Sequence, residues 1–261
     1  VNIFFNNVDF TSRTGPNNFG KKLGYELEAL GHHVTHQLTA DVPDVALSFI
    51  QGYVSGIRNV LRLDGIYFNS AQDWRAMNAP IKQSYDLADA VVVQSRFNQE
   101  LVFKYFGERD NVYVIHNGTT LALIDSILPE NLSTSKENTW MCASSWRPHK
   151  RLAENIRYFQ QYATDDSVLL VAGKDAQIWA PDLEDSRIRL VGDLQWSEMI
   201  SLMKSSGHFL HLALLDHCPN VVVDARACGC QVICAASGGT REIAGKNAIV
   251  IKDIDWDFLP F

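Results

Sequence analysis

The chain has 261 residues, enough for one large domain or two small ones, each able to bury a core without covalent staples. Apolar residues make up 46% and charged residues 20%, which excludes disordered, collagen-like and coiled-coil chains. The net charge is −7, from 23 basic and 30 acidic residues, with no Lys/Arg run in either half, and this argues against a nucleic-acid partner or a polybasic membrane patch.

Residues 1–7 read as a strand, and no signal peptide is expected from them. A helix is predicted over 17–31, where Phe19, Leu23, Leu27 and Leu30 recur at helical spacing before a closing glycine. Strands follow at 33–38, 45–50 and 60–63, a helix at 71–88, a strand at 90–94, a helix at 96–106 and a strand at 112–116. Residues 119–138 turn polar in their second part and read as a linker. The pattern then restarts, with strands at 139–144, 168–172, 189–192, 208–215, 231–235 and 248–252, and helices at 151–164, 196–205, 219–228 and 241–244. Strands separated by helices imply parallel sheets covered on both faces. The expectation is two doubly wound α/β domains, 1–126 and 127–261, facing a central cleft.

No apolar run approaches the ~20 residues of a membrane span, so no transmembrane segment is expected. Cys142, Cys218, Cys228, Cys230 and Cys234 are odd in number and confined to the back half, which does not suit a disulfide framework. They read as buried thiols of a reducing compartment, and the expected location is cytoplasmic.

Chemistry-bearing residues follow the strands of the second half. After 139–144 come Trp146, Arg147, Pro148, His149 and Lys150; after 208–215 come Asp216, His217, Cys218 and Pro219; after 231–235 come Ser237, Gly238 and Gly239. Two cations at a helix start oppose the helix dipole and make sense if they hold an anion such as a diphosphate; the alternative is a solvated basic helix start. Pro219 suits the first helical position, and the N–H groups around Pro219, Asn220 and Val221 are open to an anionic or hydroxyl oxygen. Asp216 and Asp224 lie eight apart, placing one carboxylate in a loop and one in the next helix. Asp224 stands in an apolar run, so its charge needs a partner or a ligand; otherwise the two are a cap and a surface residue. Gly238 and Gly239 allow close backbone approach, or simply make a turn. In the first half, Asp64 is either a ligand contact or the partner of Arg62 before a turn at Gly65; His116 there and His217 in the second half are either cleft-lining or structural.

Taken together, these segments resemble the family 4 glycosyltransferases of the GT-B fold. Asp216 to Asp224, with Gly238, Gly239 and Glu242, is similar to the family's paired-carboxylate region and its Gly-Gly turn. Trp146 to Leu152 resembles its diphosphate-binding segment, 88–95 with 114–118 resembles the end of its first domain, and Gly15-Pro16-Asn17 resembles its first phosphate-side loop. The resemblance implies that Arg147 and Lys150 hold the donor diphosphate, that Asp224 binds the ribose and Asp216 the donor sugar, that Gly192 lies near the base, and that Gly15 faces the diphosphate from the other domain. Aspartates stand where the family has glutamates, the stretch 44–51 has no histidine, and the family's terminal helices are not seen before Phe261.

The implied activity is retaining, metal-independent transfer of a hexose from a nucleoside diphosphate sugar to a hydroxyl acceptor such as a glycan, with no cofactor. Arg147, Lys150 and Asp216 are the catalytic candidates, and Gly15, Asn17 and Asp64 face the acceptor side. A GT-B nucleotide-sugar-binding protein of weak catalysis is the alternative, and a nucleotide-sugar epimerase ranks below it. No G-x-G-x-x-G follows the first strand of either half, which disfavours a nicotinamide enzyme.

Overall fold

A computed structural model of the chain describes residues 1–12, 15–37, 42–180 and 184–259. The chain divides into two compact units, Val1–Asn117 with Trp256–Phe261, and Gly118–Asp255. Each is an α/β unit built on a wholly parallel six-stranded sheet.

The first unit runs β1 (Asn2–Asn6), α1 (Gly15–Ala29), β2 (His33–Thr35), β3 (Val45–Phe49), β4 (Arg58–Leu63), α2 (Trp74–Leu87), β5 (Ala90–Val93), α3 (Arg96–Phe106) and β6 (Val112–Val114). Its sheet has the order β2-β1-β3-β4-β5-β6. The strand predicted over 33–38 ends at Thr35, and its last residue, Leu38, lies outside the described residues. α3 starts where predicted because the Ser95 side chain accepts a hydrogen bond from Asn98 N–H, and it stops at Gly107, whose φ is +96°. Two cores form: Ile3, Phe5 and Phe49 pack with α1, while Leu61, Leu63, Val91 and Val93 pack with α2 and α3. The segment from Trp256 joins the second of these cores. Phe258 stacks on Phe97 with ring centroids 5.7 Å apart, and Tyr105 Oη donates to Phe258 O at 2.6 Å.

The second unit runs α4 (Leu121–Ser126), β7 (Thr139–Ala143), a 3₁₀ turn (Pro148–Lys150), α5 (Leu152–Tyr162), β8 (Val168–Ala172), α6 (Ala176–Trp179), β9 (Ile188–Gly192), α7 (Trp196–Lys204), β10 (His208–His211), α8 (Asn220–Ala227), β11 (Gln231–Ala235), α9 (Thr240–Ile243) and β12 (Ile249–Ile251). Its order is β12-β11-β10-β7-β8-β9. Strand alternation splits the core in two. Met141, Ala143, Leu170, Phe209 and Val232 face α7 and α8, while Trp140, Cys142, Leu169, Val171 and Leu210 face α5.

The linker expected over 119–138 is a correction, because it contains α4. Ile124 is buried in the core that faces α7 and α8, and the residues after it are tied to α7: Lys204 Nζ donates to Ile127 O at 2.5 Å and Ser201 Oγ to Leu128 O at 2.8 Å. This packing places the division at Asn117 and Gly118 rather than near residue 126.

All five cysteines are buried thiols of this unit. Burial pushes Cys228 and Cys234 up to about 11, Cys230 to about 12 and Cys142 higher still.

Gly173, just beyond β8, has φ +109°, and a Cβ there would lie 1.8 Å from Ser144 O. Gly173→Ala must therefore push apart the chain leaving β7 and the chain leaving β8. The expected loss is about 2 kcal/mol or more, read as a lower urea midpoint; an unchanged midpoint would refute the close-approach argument.

Candidate functional site

In the second sheet β7 and β10 are neighbours, but the chain leaves β7 towards β8 and leaves β10 towards β11. Ligands of open parallel sheets bind beyond the strands' carboxyl ends at such a reversal. The candidate residues that follow these two strands arrive there.

The segment after β7 is held rigidly. Trp146 is buried, and its indole Nε1 donates to Ala172 O at 2.8 Å. Arg147 then flanks the 3₁₀ turn with an extended backbone and an exposed side chain, and among the described residues it makes no ion pair. Lys150 ends the turn, and Arg151 reverses the chain into α5 with φ +52° and ψ +53°.

The strand expected over 208–215 stops at His211, which is a correction. Other groups claim the backbone beyond it: Asn155 Oδ1 accepts Leu212 N–H at 3.2 Å, and Leu214 N–H donates to His149 O at 2.7 Å. With Leu215 at φ +54°, the chain curls onto the 3₁₀ turn and delivers Asp216 to Lys150.

Lys150 Nζ stands 2.5 Å from Asp216 Oδ2, and His211 Nε2 is 3.1 Å from the same oxygen. Burial alone would raise the Asp216 carboxyl; the Lys150 charge and the His211 hydrogen bond outweigh it and hold the group well below the usual range. The same burial lowers His217 to about 4, against the pull of Asp216. His149 is lowered too, by burial and then by Lys150. Gly238 completes the loop cluster. Its φ is +80°, a Cβ there would lie 2.6 Å from Asp216 O, and the adjacent Gly239 N–H donates to that oxygen at 2.8 Å.

Sequence reasoning missed Asp253. Its Oδ2 is 2.8 Å from Arg151 Nη1 and also accepts the Ser237 hydroxyl. The partners are 102 and 16 residues away, and no local motif announces them. The Asp253 carboxyl is lowered: burial opposes the shift, and the Ser237 and Arg151 contacts outweigh it.

The other candidates are placed differently. Asp224 is buried in α8 and has the partner its apolar setting demanded, for Trp196 Nε1 donates to its Oδ2 at 2.9 Å. Pro219 caps α8 instead of occupying its first position, a correction of one residue; Asn220 begins the helix, and Val222 N–H donates to Pro219 O at 3.0 Å. Gly192 ends β9 with φ +80°, and its carbonyl accepts Gly173 N–H at 2.7 Å. Lys150, Asp216, Gly238 and Gly239 are thus joined by contacts, Arg147 adjoins them in sequence, and Asp224 has a separate anchor.

In the first unit Gly15 opens α1, and Asn17 Oδ1 accepts Asp9 N–H at 2.9 Å. The Arg62–Asp64 pair is formed, and Gln94 Nε2 also donates to Asp64. Arg62 Nη2 donates to Asn117 Oδ1 at 2.7 Å, and Asn117 Nδ2 to Gln94 Oε1 at 3.3 Å, closing a four-residue ring. The guanidinium lies 3.6 Å from the Phe19 ring centroid. His116 is exposed at the end of this unit.

Among the described residues no three His, Cys, Asp or Glu side chains cluster as metal ligands, and no helix is long and apolar enough to cross a membrane.

Residues 124–259 match the family model described as glycosyl transferases group 1. No curated protein matches the sequence. Among solved structures, the chain is similar to sucrose-phosphate synthase (tll1590) from Thermosynechococcus elongatus, with a TM-score of 0.76 and 16% identity, covering 97% of this chain and 86% of that one. Anabaena Alr3699/HepE, solved in complex with UDP and glucose, gives a TM-score of 0.72 and 14% identity over 96% and 85% of the two chains. WaaG, a glycosyltransferase involved in lipopolysaccharide biosynthesis, gives 0.65 and 14% over 97% and 86%. At such identities the likeness is one of fold.

His217 generates a pH prediction. The folded ring stays neutral down to about pH 4, whereas an unfolded histidine protonates near 6.5. Its contribution to stability is complete above pH 6.5 and is lost as pH falls towards 4. Urea unfolding across that window should show a slope of at most about 1.4 kcal/mol per pH unit from this group. His217→Asn should remove it, and an unchanged profile would refute the assignment.

Proposed function

The chain belongs to the glycosyl transferases group 1 family, and on that footing we propose that it moves a hexose from a nucleoside diphosphate sugar to a hydroxyl acceptor, with retention of configuration and without a metal ion. In the finer classification the proposal is family 4. The observation that carries it is the Lys150–Asp216 pair at the sheet reversal, with Arg147 exposed beside it and the Gly238-Gly239 turn against the Asp216 backbone.

Departure of a nucleoside diphosphate places developing negative charge on the leaving phosphate, and fixed cations are the direct means of stabilising it. An ammonium has three donors, so Lys150 can keep Asp216 on one and offer the others to phosphate oxygens. Arg147 supplies a planar fork suited to the same anion. Asp216 holds Lys150 in place and is proposed to receive donor-sugar hydroxyls. In the proposed step the acceptor oxygen bonds to the anomeric carbon as that carbon's bond to phosphate breaks. The acceptor's proton passes to the departing phosphate on the same face, and no enzymic base is required. Gly192 is proposed near the base, Pro219 and Asn220 near the donor, and Gly15, Asn17 and Asp64 on the acceptor side. The buried thiols support action in a reducing compartment such as the cytoplasm.

One observation favours the second reading, a nucleotide-sugar-binding protein of weak catalysis. Asp224, proposed for the ribose, is buried beneath Trp196, so ribose binding there has to share or displace the indole contact.

A thermal-shift panel with UDP, GDP, ADP, CDP and their sugar conjugates, with and without chelator, tests the proposal. A ligand at 100 times its Kd adds about 2.7 kcal/mol, and one diphosphate is expected to raise Tm with or without chelator. A flat panel, or a shift abolished by chelator, would overturn it. With the donor found, Lys150→Ala should lower kcat by roughly 10²-fold, and unaltered turnover would remove Lys150 from the diphosphate role. Asp224→Ala should weaken nucleotide binding; unchanged affinity would favour an Asp224 that serves Trp196 alone.

A further inference from the structure

Arg151 holds a backbone conformation that side-chain-bearing residues rarely adopt, φ +52° and ψ +53°, immediately after Lys150. The turn that aims Lys150 at Asp216 therefore does not follow from local preference; something must hold it. Backbone bonds from Arg151 N–H to Pro148 O at 3.0 Å and from Asn155 N–H to Arg151 O at 3.1 Å close the turn, and two side-chain contacts reach Arg151 itself. Asn155 Nδ2 donates to Arg151 O at 2.7 Å, which fixes the backbone from within α5. The Arg151 guanidinium reaches Asp253 at 2.8 Å, with side chains only 21% and 12% exposed.

Asp253 has a second attachment. Its Oδ2 accepts the Ser237 hydroxyl, and Ser237 Oγ in turn accepts Leu215 N–H at 3.5 Å, one residue before Asp216. The connections make a circuit: Lys150 to Asp216 by ion pair, Asp216 to Gly239 by backbone hydrogen bond, Ser237 to Asp253, Asp253 to Arg151, and Arg151 back to Lys150 along the chain. One carboxylate thus ties together the chain leaving β7, the chain leaving β11 and the chain leaving β12.

We propose that Asp253 is a positioning residue for the donor diphosphate. Through Arg151 it holds the left-handed turn that presents Lys150, and through Ser237 it holds the glycine turn against Asp216. The inference rests on the nucleotide-sugar reading for its ligand, while the geometry it describes exists without one. It is distinct from a direct role for Arg151, in which that guanidinium would itself touch the anion.

Glycine adopts positive φ freely and alanine does not, so two variants that both lack the ion pair separate these cases. Arg151→Ala and Asp253→Asn should weaken binding of the nucleoside diphosphate identified by the panel by roughly tenfold, the scale of one lost charge-assisted contact, while affinity for the matching nucleoside stays unchanged. Arg151→Gly should keep near-wild-type diphosphate affinity. An equal loss in Arg151→Gly and Arg151→Ala would overturn the proposal in favour of direct contact. An equal loss for nucleoside and diphosphate would overturn it in favour of general destabilisation.

A ligand-free measurement keeps the two readings apart. The groups coupled to the Asp216 carboxylate are Lys150, His211, the neighbouring His217 and His149 on the 3₁₀ turn. In ¹³C-detected carboxyl titrations, Asp216 should titrate higher in Arg151→Ala and Asp253→Asn than in wild type and should stay low in Arg151→Gly. An Asp216 titration that none of the three variants moves would overturn the positioning role. Failure of every nucleotide to bind the wild-type chain would instead remove the nucleotide-sugar reading and leave the titration to decide the geometry.

Discussion

A carboxylate taken out of water must find its charge and hydrogen bonds inside the protein, and that requirement on Asp216 organises the second unit's carboxyl-end rim. Lys150 and His211 meet it from two different segments. To bring them there, β10 gives up its last residues to hydrogen bonds with Asn155 and His149, Leu215 takes a positive φ, and residue 238 has to be glycine because the Asp216 backbone occupies the space of a side chain. Strain at Leu215 and Arg151, which would cost stability elsewhere in a sheet protein, is tolerated here because packed contacts over-determine it.

Much of the fold was legible because parallel strands buried on both faces read as continuous apolar runs. β8, β11 and α3 were placed to the residue, and most other elements within a few residues. What failed did so for identifiable reasons. The run 208–215 is apolar apart from His208 and His211, yet Leu212, Ala213 and Leu215 are buried as loop residues, and hydropathy cannot distinguish that from strand. α4 is six residues long and is held by tertiary contacts from α7, so it lacks the periodicity that betrays a longer helix. That Lys150, Asp216 and the glycine pair lie in loops beyond the ends of neighbouring strands was legible from the strand pattern. The partnerships of Asp224 with Trp196 and of Asp253 with Arg151 were not, because each spans a separation at which only the folded topology brings residues together.

The two units solve a similar problem with different chemistry. In the first, the strand order reverses between β1 and β3, where Asn6 Nδ2 donates to Ser48 Oγ at 3.0 Å and Asn7 Nδ2 to Phe49 O at 2.7 Å. Its buried charge, Arg62, is enclosed by Asp64, Asn117 and the face of Phe19, and neutral amides carry the closure of that ring. The second unit instead leaves cationic groups near its surface, with Arg147 exposed and Lys150 partly so. A closed polar ring fixes a shape, whereas a rim of incompletely enclosed cations has charge to offer an incoming anion.

The distribution of thiols makes the molecule self-reporting. All five cysteines belong to the second unit, and burial keeps those whose acidity is shifted in the unreactive protonated form. A thiol-directed reagent therefore finds no exposed sulfhydryl on the folded second unit and labels it as local or wider opening exposes Cys142 and Cys234 in the strands or Cys218, Cys228 and Cys230 around α8. The first unit carries no sulfhydryl at all, so its opening and closing leave no mark on the same clock. Labelling kinetics on the unmodified chain amount to a built-in gauge of one unit's opening alone, with no engineered probe.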